Sequence, residues 1–298
     1  MLIPELPKIK DGDELHIARA LSWVENQHPK ALDLLKLMNG TTPVIGITGP
    51  PGAGKSTLVN ALVNYWAEQN LKIAILAVDP SSAFNFGSLL GDRLRMQSLF
   101  LNPNVYIRSV SSRGSLGGLS ASIIEMVEVL KFAPFDRIII ETVGVGQSEV
   151  EIAGLADTTI VVSVPESGDE IQTLKSGIME IADVFVVNKS DRDGAAAFAS
   201  YLMKLAHVRA TESWECPVIL TQAMQSIGIP ALAESISKHQ VVNQHNSRKK
   251  HLFAEKAYKI IQRNRMKDVS IQTLQSEIET ELKKGDFNLF QYLESRTA

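Results

Sequence analysis

The chain has 298 residues, 45% of them hydrophobic and 21% charged, with 30 Lys and Arg against 33 Asp and Glu for a formal net charge of -3. That composition suits one large or two ordinary globular domains and excludes a disordered or low-complexity chain, while the near balance of charge gives no reason to expect nucleic acid or an anionic membrane as the main partner. A single cysteine, Cys216, excludes an internal disulfide framework and any cysteine-rich zinc or iron–sulfur site, and points to a reducing compartment.

The first residues, MLIPELPKIKDGDE, carry early acidic groups and no apolar stretch of the kind a signal peptide needs, and no apolar run approaches the ~20 residues that span a bilayer. The expected location is therefore cytoplasmic. Between residues 11 and 39, Leu15, Ala18, Leu21, Trp23 and Val24, then Ala31, Leu32, Leu34, Leu35 and Met38, recur at mostly helical spacing. They predict a helical pair broken near His28-Pro29, so residues 1–42 read as an N-terminal helical extension. From 43 to 240, seven β-rich runs (VIGIT, KIAILAV, VYIRSV, RIIIET, TIVVSV, VFVVN and PVILT) alternate with helix-sized segments. This predicts an α/β domain around a mostly parallel sheet.

The first run leads into GPPGAGKST and then the helical LVNALVNYWAEQ, which places Gly49, Gly54, Lys55 and Ser56 in the pattern G-x-x-x-x-G-K-[ST]. Glycines let the backbone turn its N–H groups inward around an anion, and the following helix adds its positive end. Gly52, Ala53, Gly54, Lys55, Ser56 and Thr57 are thus candidate phosphate-binding residues, with Lys55 reaching the β- and γ-phosphates and the Ser56 hydroxyl binding magnesium. Asp79, closing the second run in AVDPSS, and Asp92, in LLGDRLRM, are candidate metal carboxylates; a strand-ending turn and a surface charge are their plainer readings. Arg108 and Arg113, in the Gly/Ser-rich YIRSVSSRGSLGG, could stabilise transition-state charge or merely pair with local carboxylates. Glu141 ends the fourth run and is the candidate carboxylate facing magnesium, with the Gly144 N–H three residues on available to the γ-phosphate. Where many GTPases place a water-orienting glutamine after that glycine, this chain has Val145, so intrinsic hydrolysis should be slow.

After the fifth run, Gly168-Asp169-Glu170 opens a helix whose first turn its acids suit, either as a plain loop or as a nucleotide-responsive one. The sixth run ends in Asn188-Lys189-Ser190-Asp191, the N-K-x-D arrangement. A carboxylate at Asp191 can accept both N1–H and the exocyclic amine of guanine, a donor pair adenine lacks, so the nucleotide is expected to be GTP or GDP. Beyond 240 the composition turns polar, and 241–298 read as a C-terminal helical arm. Leu252, Phe253, Ala257, Ile260 and Ile261 mark one helix, and Ile271, Leu274, Ile278 and Leu282 mark another. Phe287, Leu289, Phe290, Tyr292 and Leu293 follow. An arm this apolar packs back on the α/β domain or meets a second subunit.

These residues resemble the methylmalonyl-CoA mutase-associated GTPases of the MeaB/ArgK type. The resemblance runs through GITGPPGAGKSTLVNAL, AVDPSSAFNFGSLLGDRLRM, IRSVSSRGSLGGLS, ETVGVGQSEVEIAGLAD, PESGDEIQTLKSGIMEIAD and VVNKSD in order, and covers about residues 15–240. It implies a P-loop GTPase domain with a C-terminal helical dimerisation arm and a homodimer. It also implies a phosphate loop at Gly52–Thr57, a magnesium site from Ser56, Asp79, Asp92 and Glu141, and a guanine site at Asn188, Lys189 and Asp191. Gly168 to Met179 matches a segment that relays nucleotide state to a partner. The implied role is a chaperone that gates adenosylcobalamin loading and protects an acyl-CoA mutase. Two departures stand out. Thr221-Gln222-Ala223 replaces a T-S-A type segment, so backbone N–H groups at Gln222 and Ala223 are left to hold the guanine O6; and Ala83, Asn85 and Phe86 alter the loop after Asp79. A nickel-inserting metallochaperone would need softer ligands than one cysteine and six scattered histidines offer. A small-molecule kinase would have no use for the guanine reader.

Overall fold

Each of the seven β-rich runs forms a strand: β1 (Val44–Thr48), β2 (Ile73–Asp79), β3 (Val105–Ser111), β4 (Arg137–Glu141), β5 (Thr158–Ser163), β6 (Val184–Val187) and β7 (Val218–Leu220). They lie in the order β3-β2-β4-β1-β5-β6-β7, and all six pairings are parallel. The computed structural model describes residues 3–79, 99–111, 121–142, 152–168, 178–208, 210–211, 213–242, 250, 254, 257–258, 260–262, 264–266, 269–285 and 287–297. Asp92, Arg113, Gly144 and most of the segment 168–179 lie outside them, as do Ala83, Asn85 and Phe86.

A parallel sheet buries both faces, which is why every residue of β1, β5 and β6 is buried and why Ile, Val and Phe fill both sides of β1 and β6. On one face Ile45, Ile47, Ile139, Ile160 and Val162 pack against Leu58, Val59, Leu62 and Trp66 of the helix Lys55–Ala67. On the other, Val44, Ile138 and Ile140 pack with Val127 and Leu130 of the helix Ala121–Phe132 and with Ile17, Leu21 and Val24 of the helix Glu14–Glu25. Val161, Phe185 and Val187 meet the helix Ala195–Val208.

The N-terminal extension is three helices, Leu6–Lys10, Glu14–Glu25 and Ala31–Lys36; the expected pair is preceded by a short helix that carries Pro7 in its first turn, where a missing N–H costs nothing. Asp13 caps the second by accepting the His16 N–H at 3.0 Å, and that hydrogen bond holds its carboxyl below the usual range. The Thr42 hydroxyl lies 3.1 Å from Phe135 O and 3.3 Å from Lys131 O, fastening the extension to the end of the helix Ala121–Phe132 and the turn after it. Residues Met1–Leu252 form one compact unit and Phe253–Ala298 another. The helix Ile229–Val242 runs past residue 240, and the extension shares the core of the first unit.

The second unit contains the helix Ile271–Leu282, capped by Ser270 through the Thr273 N–H at 3.0 Å, and the helix Leu289–Thr297, which gathers the apolar residues that follow the Ile271–Leu282 stripe. The Tyr292 hydroxyl donates to Glu277 Oε2 at 2.6 Å and Arg296 pairs with the same carboxylate, so Glu277 is held below the usual carboxylate range. No residue of Ile271–Leu282 is buried within this unit, and Phe290 is 78% exposed. Among the described residues no helix is long and apolar enough to cross a membrane.

Candidate nucleotide site

Because every strand runs the same way, all seven carboxyl ends meet on one edge. From β1 the chain winds outward through β2 and β3, returns to β4, and builds β5 to β7 on the far side, so the direction reverses around β1. A ligand crevice in an open α/β sheet lies at that reversal. The topology thereby collects on one edge the phosphate loop after β1, Asp79 at the end of β2, Glu141 at the end of β4, and Asn188–Asp191 after β6.

The phosphate loop is shaped by left-handed glycines. Gly49, at φ +139°, passes so close to β5 that a Cβ there would lie 2.0 Å from Val162 O, and Gly54, at φ +87°, leaves no room for a Cβ beside the Asn188 amide. Lys55 opens the following helix, is only 7% exposed, and donates from Nζ to Gly49 O at 2.8 Å and Pro50 O at 3.0 Å. Its ammonium is therefore folded over the loop it serves.

Ser56, on the first turn of that helix, donates its hydroxyl to Glu141 Oε1 at 2.7 Å, although the two lie 85 residues apart. Glu141 is 7% exposed and sits in register with Ile47 of β1. Magnesium takes hard oxygen ligands and keeps several waters. A serine hydroxyl that gives its proton to a buried carboxylate retains its oxygen lone pairs for a cation, so this donor set fits the ion. Asp79 ends β2 on the same edge.

The guanine-loop residues are also brought to the phosphate loop. The Asn188 side chain, 2% exposed, donates from Nδ2 to Ala53 O at 2.9 Å and accepts at Oδ1 from Thr221 Oγ1 at 3.1 Å and the Ala223 N–H at 3.2 Å. It is a clamp joining three loops within the guanine site that the resemblance implies. Lys189 adopts φ +55°, unusual for a side-chain-bearing residue, and Nζ donates to Gly52 O at 2.8 Å. Asp191 stays exposed in a turn held by Ser190 N–H to Thr221 O at 3.0 Å and by the Arg192–Glu166 ion pair, which keeps the Glu166 carboxyl below its usual range. The amides expected to hold guanine O6 have protein acceptors: Gln222 N–H donates to Ile227 O at 3.1 Å and Ala223 N–H to Asn188. Thr221, fully buried, orients the clamp; its chain neighbours gave no signal of that role.

Of the two readings open for Arg108, the structure favours a carboxylate pair. Arg108 does not serve the site: Nη2 meets Glu25 Oε2 at 2.6 Å and lies 3.3 Å from Ser22 Oγ, because β3 is the edge strand against which the helix Glu14–Glu25 brings a carboxylate. The histidines are equally dispersed, with His16 accepting the Glu5 N–H, His28 stacked on Trp23, and His239 beside Thr158 and Asp183. Among the described residues no three His, Cys, Asp or Glu side chains are grouped to hold a metal ion.

The sequence model of the family described as methylmalonyl Co-A mutase-associated GTPase MeaB matches residues 17–277. A Pyrococcus abyssi protein provisionally named a GTPase is 40% identical over 294 residues, covering 96% of this chain and 89% of that protein. The GTPase ArgK of Escherichia coli is 37% identical over 247 residues, covering 79% and 75%. The mouse protein named methylmalonic aciduria type A homolog, mitochondrial, is 35% identical over 251 residues, covering 77% of this chain and 60% of its own length. Among solved structures, one described as LAO/AO transport system kinase superposes with a TM-score of 0.71 at 26% identity, covering 99% and 98% of the two chains. Nickel-bound HypB of Helicobacter pylori, at 15% identity and a TM-score of 0.50, shares the fold over 78% of this chain and 98% of its own.

Proposed function

The chain belongs to the methylmalonyl-CoA mutase-associated GTPase family, and we propose that it is a slow, magnesium-dependent GTPase that chaperones an acyl-CoA mutase, gating the loading of adenosylcobalamin and protecting the mutase. The observation that carries the nucleotide reading is the clasp between two motifs 135 residues apart, in which Asn188 and Lys189 hold the carbonyls of Ala53 and Gly52. A loop that cradles phosphates and a loop that reads a purine are thereby fixed at one spacing, as a single nucleoside di- or triphosphate requires.

In the proposed reaction water attacks the γ-phosphorus in line, the bond to the β–γ bridging oxygen breaks, and GDP departs with the electron pair. Lys55 would leave Gly49 and Pro50 to meet the phosphate charge, and the loop N–H groups would bind the remaining oxygens. Ser56 and Glu141, with Asp79 and Asp92, would hold magnesium, which when bound neutralises charge on the β- and γ-phosphates. The Gly144 N–H and the Arg113 guanidinium are assigned to the γ-phosphate and its developing charge. Asp191 would read guanine.

The mutase role draws its support from the family's description and the name of the mouse relative. The exposed apolar residues Ile271, Leu282, Leu289, Phe290 and Leu293 support a homodimer paired through the C-terminal arm. The proposed organisation is 1–42 extension, 43–240 GTPase domain and 241–298 arm, in a cytoplasmic protein that engages neither nucleic acid nor membrane. The test is phosphate release from GTP and ATP, with and without magnesium and with an adenosylcobalamin-dependent acyl-CoA mutase. The expected result is slow release from GTP alone, dependent on magnesium and accelerated by the mutase. Equal turnover of ATP would refute the guanine assignment, and indifference to every such mutase would refute the chaperone role.

A further inference from the structure

Thr48 ends β1 immediately before the phosphate loop, and Thr142 follows β4 immediately after Glu141. Both are buried, at 0% and 1% exposure. The Thr142 hydroxyl donates to Thr48 Oγ1 at 3.0 Å and lies 3.4 Å from Ile47 O, while the Thr142 N–H donates to Ile47 O at 3.0 Å. Side chains alternate across a strand. Glu141 therefore faces the helix that carries Ser56, on the side of Ile47, whereas the two threonines fall on the opposite face with Ile138 and Ile140.

The ladder between β1 and β4 ends at the pair Ile47 and Glu141. Past it, the Thr142 amide and the threonine bridge continue the attachment of the two strand ends, directly behind the carboxylate. We propose that the Thr48–Thr142 hydroxyl bridge is a positioning device for the magnesium site, setting the register of the strand ends and so the place where Glu141 meets Ser56. The proposal rests on reading Ser56 and Glu141 as magnesium residues. Neither threonine touches nucleotide or cation; both act through Glu141 and the start of the phosphate loop.

Valine keeps the branched shape of threonine and deletes the hydroxyl. Replacing one threonine leaves the other buried without its partner, whereas replacing both removes the pair and is close to neutral for folding. Stability and positioning therefore come apart in the double variant. The probe is the release of a fluorescent GDP analogue from the full chain, followed across magnesium concentrations, with thermal melting alongside.

Thr142→Val and the double variant Thr48→Val/Thr142→Val are expected to raise the magnesium concentration for half-maximal slowing of release about five-fold, the equivalent of one net hydrogen bond. The double variant should melt near the wild type, and Thr142→Ser, which keeps the hydroxyl, should restore the wild-type magnesium response. If Ser56→Ala weakens that response while the double variant keeps it, the positioning role is overturned and the magnesium site stands. If Ser56→Ala leaves it unchanged too, the magnesium site itself is refuted and the bridge loses its purpose. Failure of Thr142→Ser to restore the response would reduce the bridge to packing and overturn the proposal.

Discussion

Replacing Asn188 by alanine should weaken both the fold and the nucleotide site, because its side chain joins the phosphate loop to the guanine loop. The side chain is 2% exposed and makes three hydrogen bonds to protein: Ala53 O at 2.9 Å, Thr221 Oγ1 at 3.1 Å and the Ala223 N–H at 3.2 Å. Each such bond contributes about 1 kcal/mol net, and each partner left buried without a substitute costs on the order of 1–3 kcal/mol. Because the three share one side chain their losses do not simply add, so a total of about 3 kcal/mol is expected. Some of it will appear as lost folding stability and some as lost GDP affinity, since the clamp joins the phosphate loop to the guanine loop. Urea denaturation of Asn188→Ala, with and without saturating GDP, separates the two shares. Asn188→Asp keeps Oδ1 but turns an oxygen toward Ala53 O, and should be at least as damaging near neutral pH. Stability and GDP affinity both within about 0.5 kcal/mol of wild type, the range of ordinary surface substitutions, would show that water replaces the amide and that the clamp reasoning is wrong.

Three further outcomes are expected. Asp191→Asn should weaken GDP binding by about 1.5–3 kcal/mol and favour xanthine nucleotides, since the change removes an acceptor pair for two guanine donors; calorimetry with GDP and XDP checks it, and unchanged GDP affinity would move guanine recognition elsewhere. A chain ending at Leu252 keeps all three hydrophobic clusters and should bind GDP as a monomer while the full chain scatters light as a dimer; a dimeric truncation would remove the arm from the interface. Burial pushes the Tyr106 phenol up to about 12, so the folded state resists its ionisation. The stabilisation is full below pH 10 and is lost as pH rises from about 10 through 12, a dependence that Tyr106→Phe should flatten in melting experiments relative to wild type.

Elements that depend on neighbours in sequence were legible before the fold was known. The seven strands, the break at His28-Pro29 and the phosphate loop all announce themselves through periodicity, turn residues or glycine spacing within a short window. Side-chain assignments that depend on strand order were not. Asn188 belongs to a motif implied to form the guanine site, and its partners come from loops after β1 and β7, which only the sheet order brings together. Arg108 looked available because Glu25, which holds it, lies 83 residues earlier on a helix whose docking site no local pattern reveals. The pairing of Thr48 with Thr142 is hidden for the same reason, since β1 and β4 are separated in sequence by two other strands. The helix Leu289–Thr297 is hard to read from sequence because its nine residues place Leu289, Phe290, Tyr292 and Leu293 within little more than one turn, too short a window for the helical period to repeat.

The N-terminal helices impose an order on biosynthesis. Ile17, Leu21 and Val24 leave the ribosome early, but the helix they pack against, Ala121–Phe132, emerges about a hundred residues later. At bacterial or eukaryotic elongation rates of about 5–20 residues per second, that apolar stripe waits roughly 5–20 s for its partner. The sheet face beneath it is itself incomplete until then, because Ile138 and Ile140 of β4 follow that helix in the chain. Nascent chains paused anywhere before residue 121 should consequently bind general hydrophobic holdases, and slowing translation across that interval should lower the yield of folded protein more than slowing it afterwards.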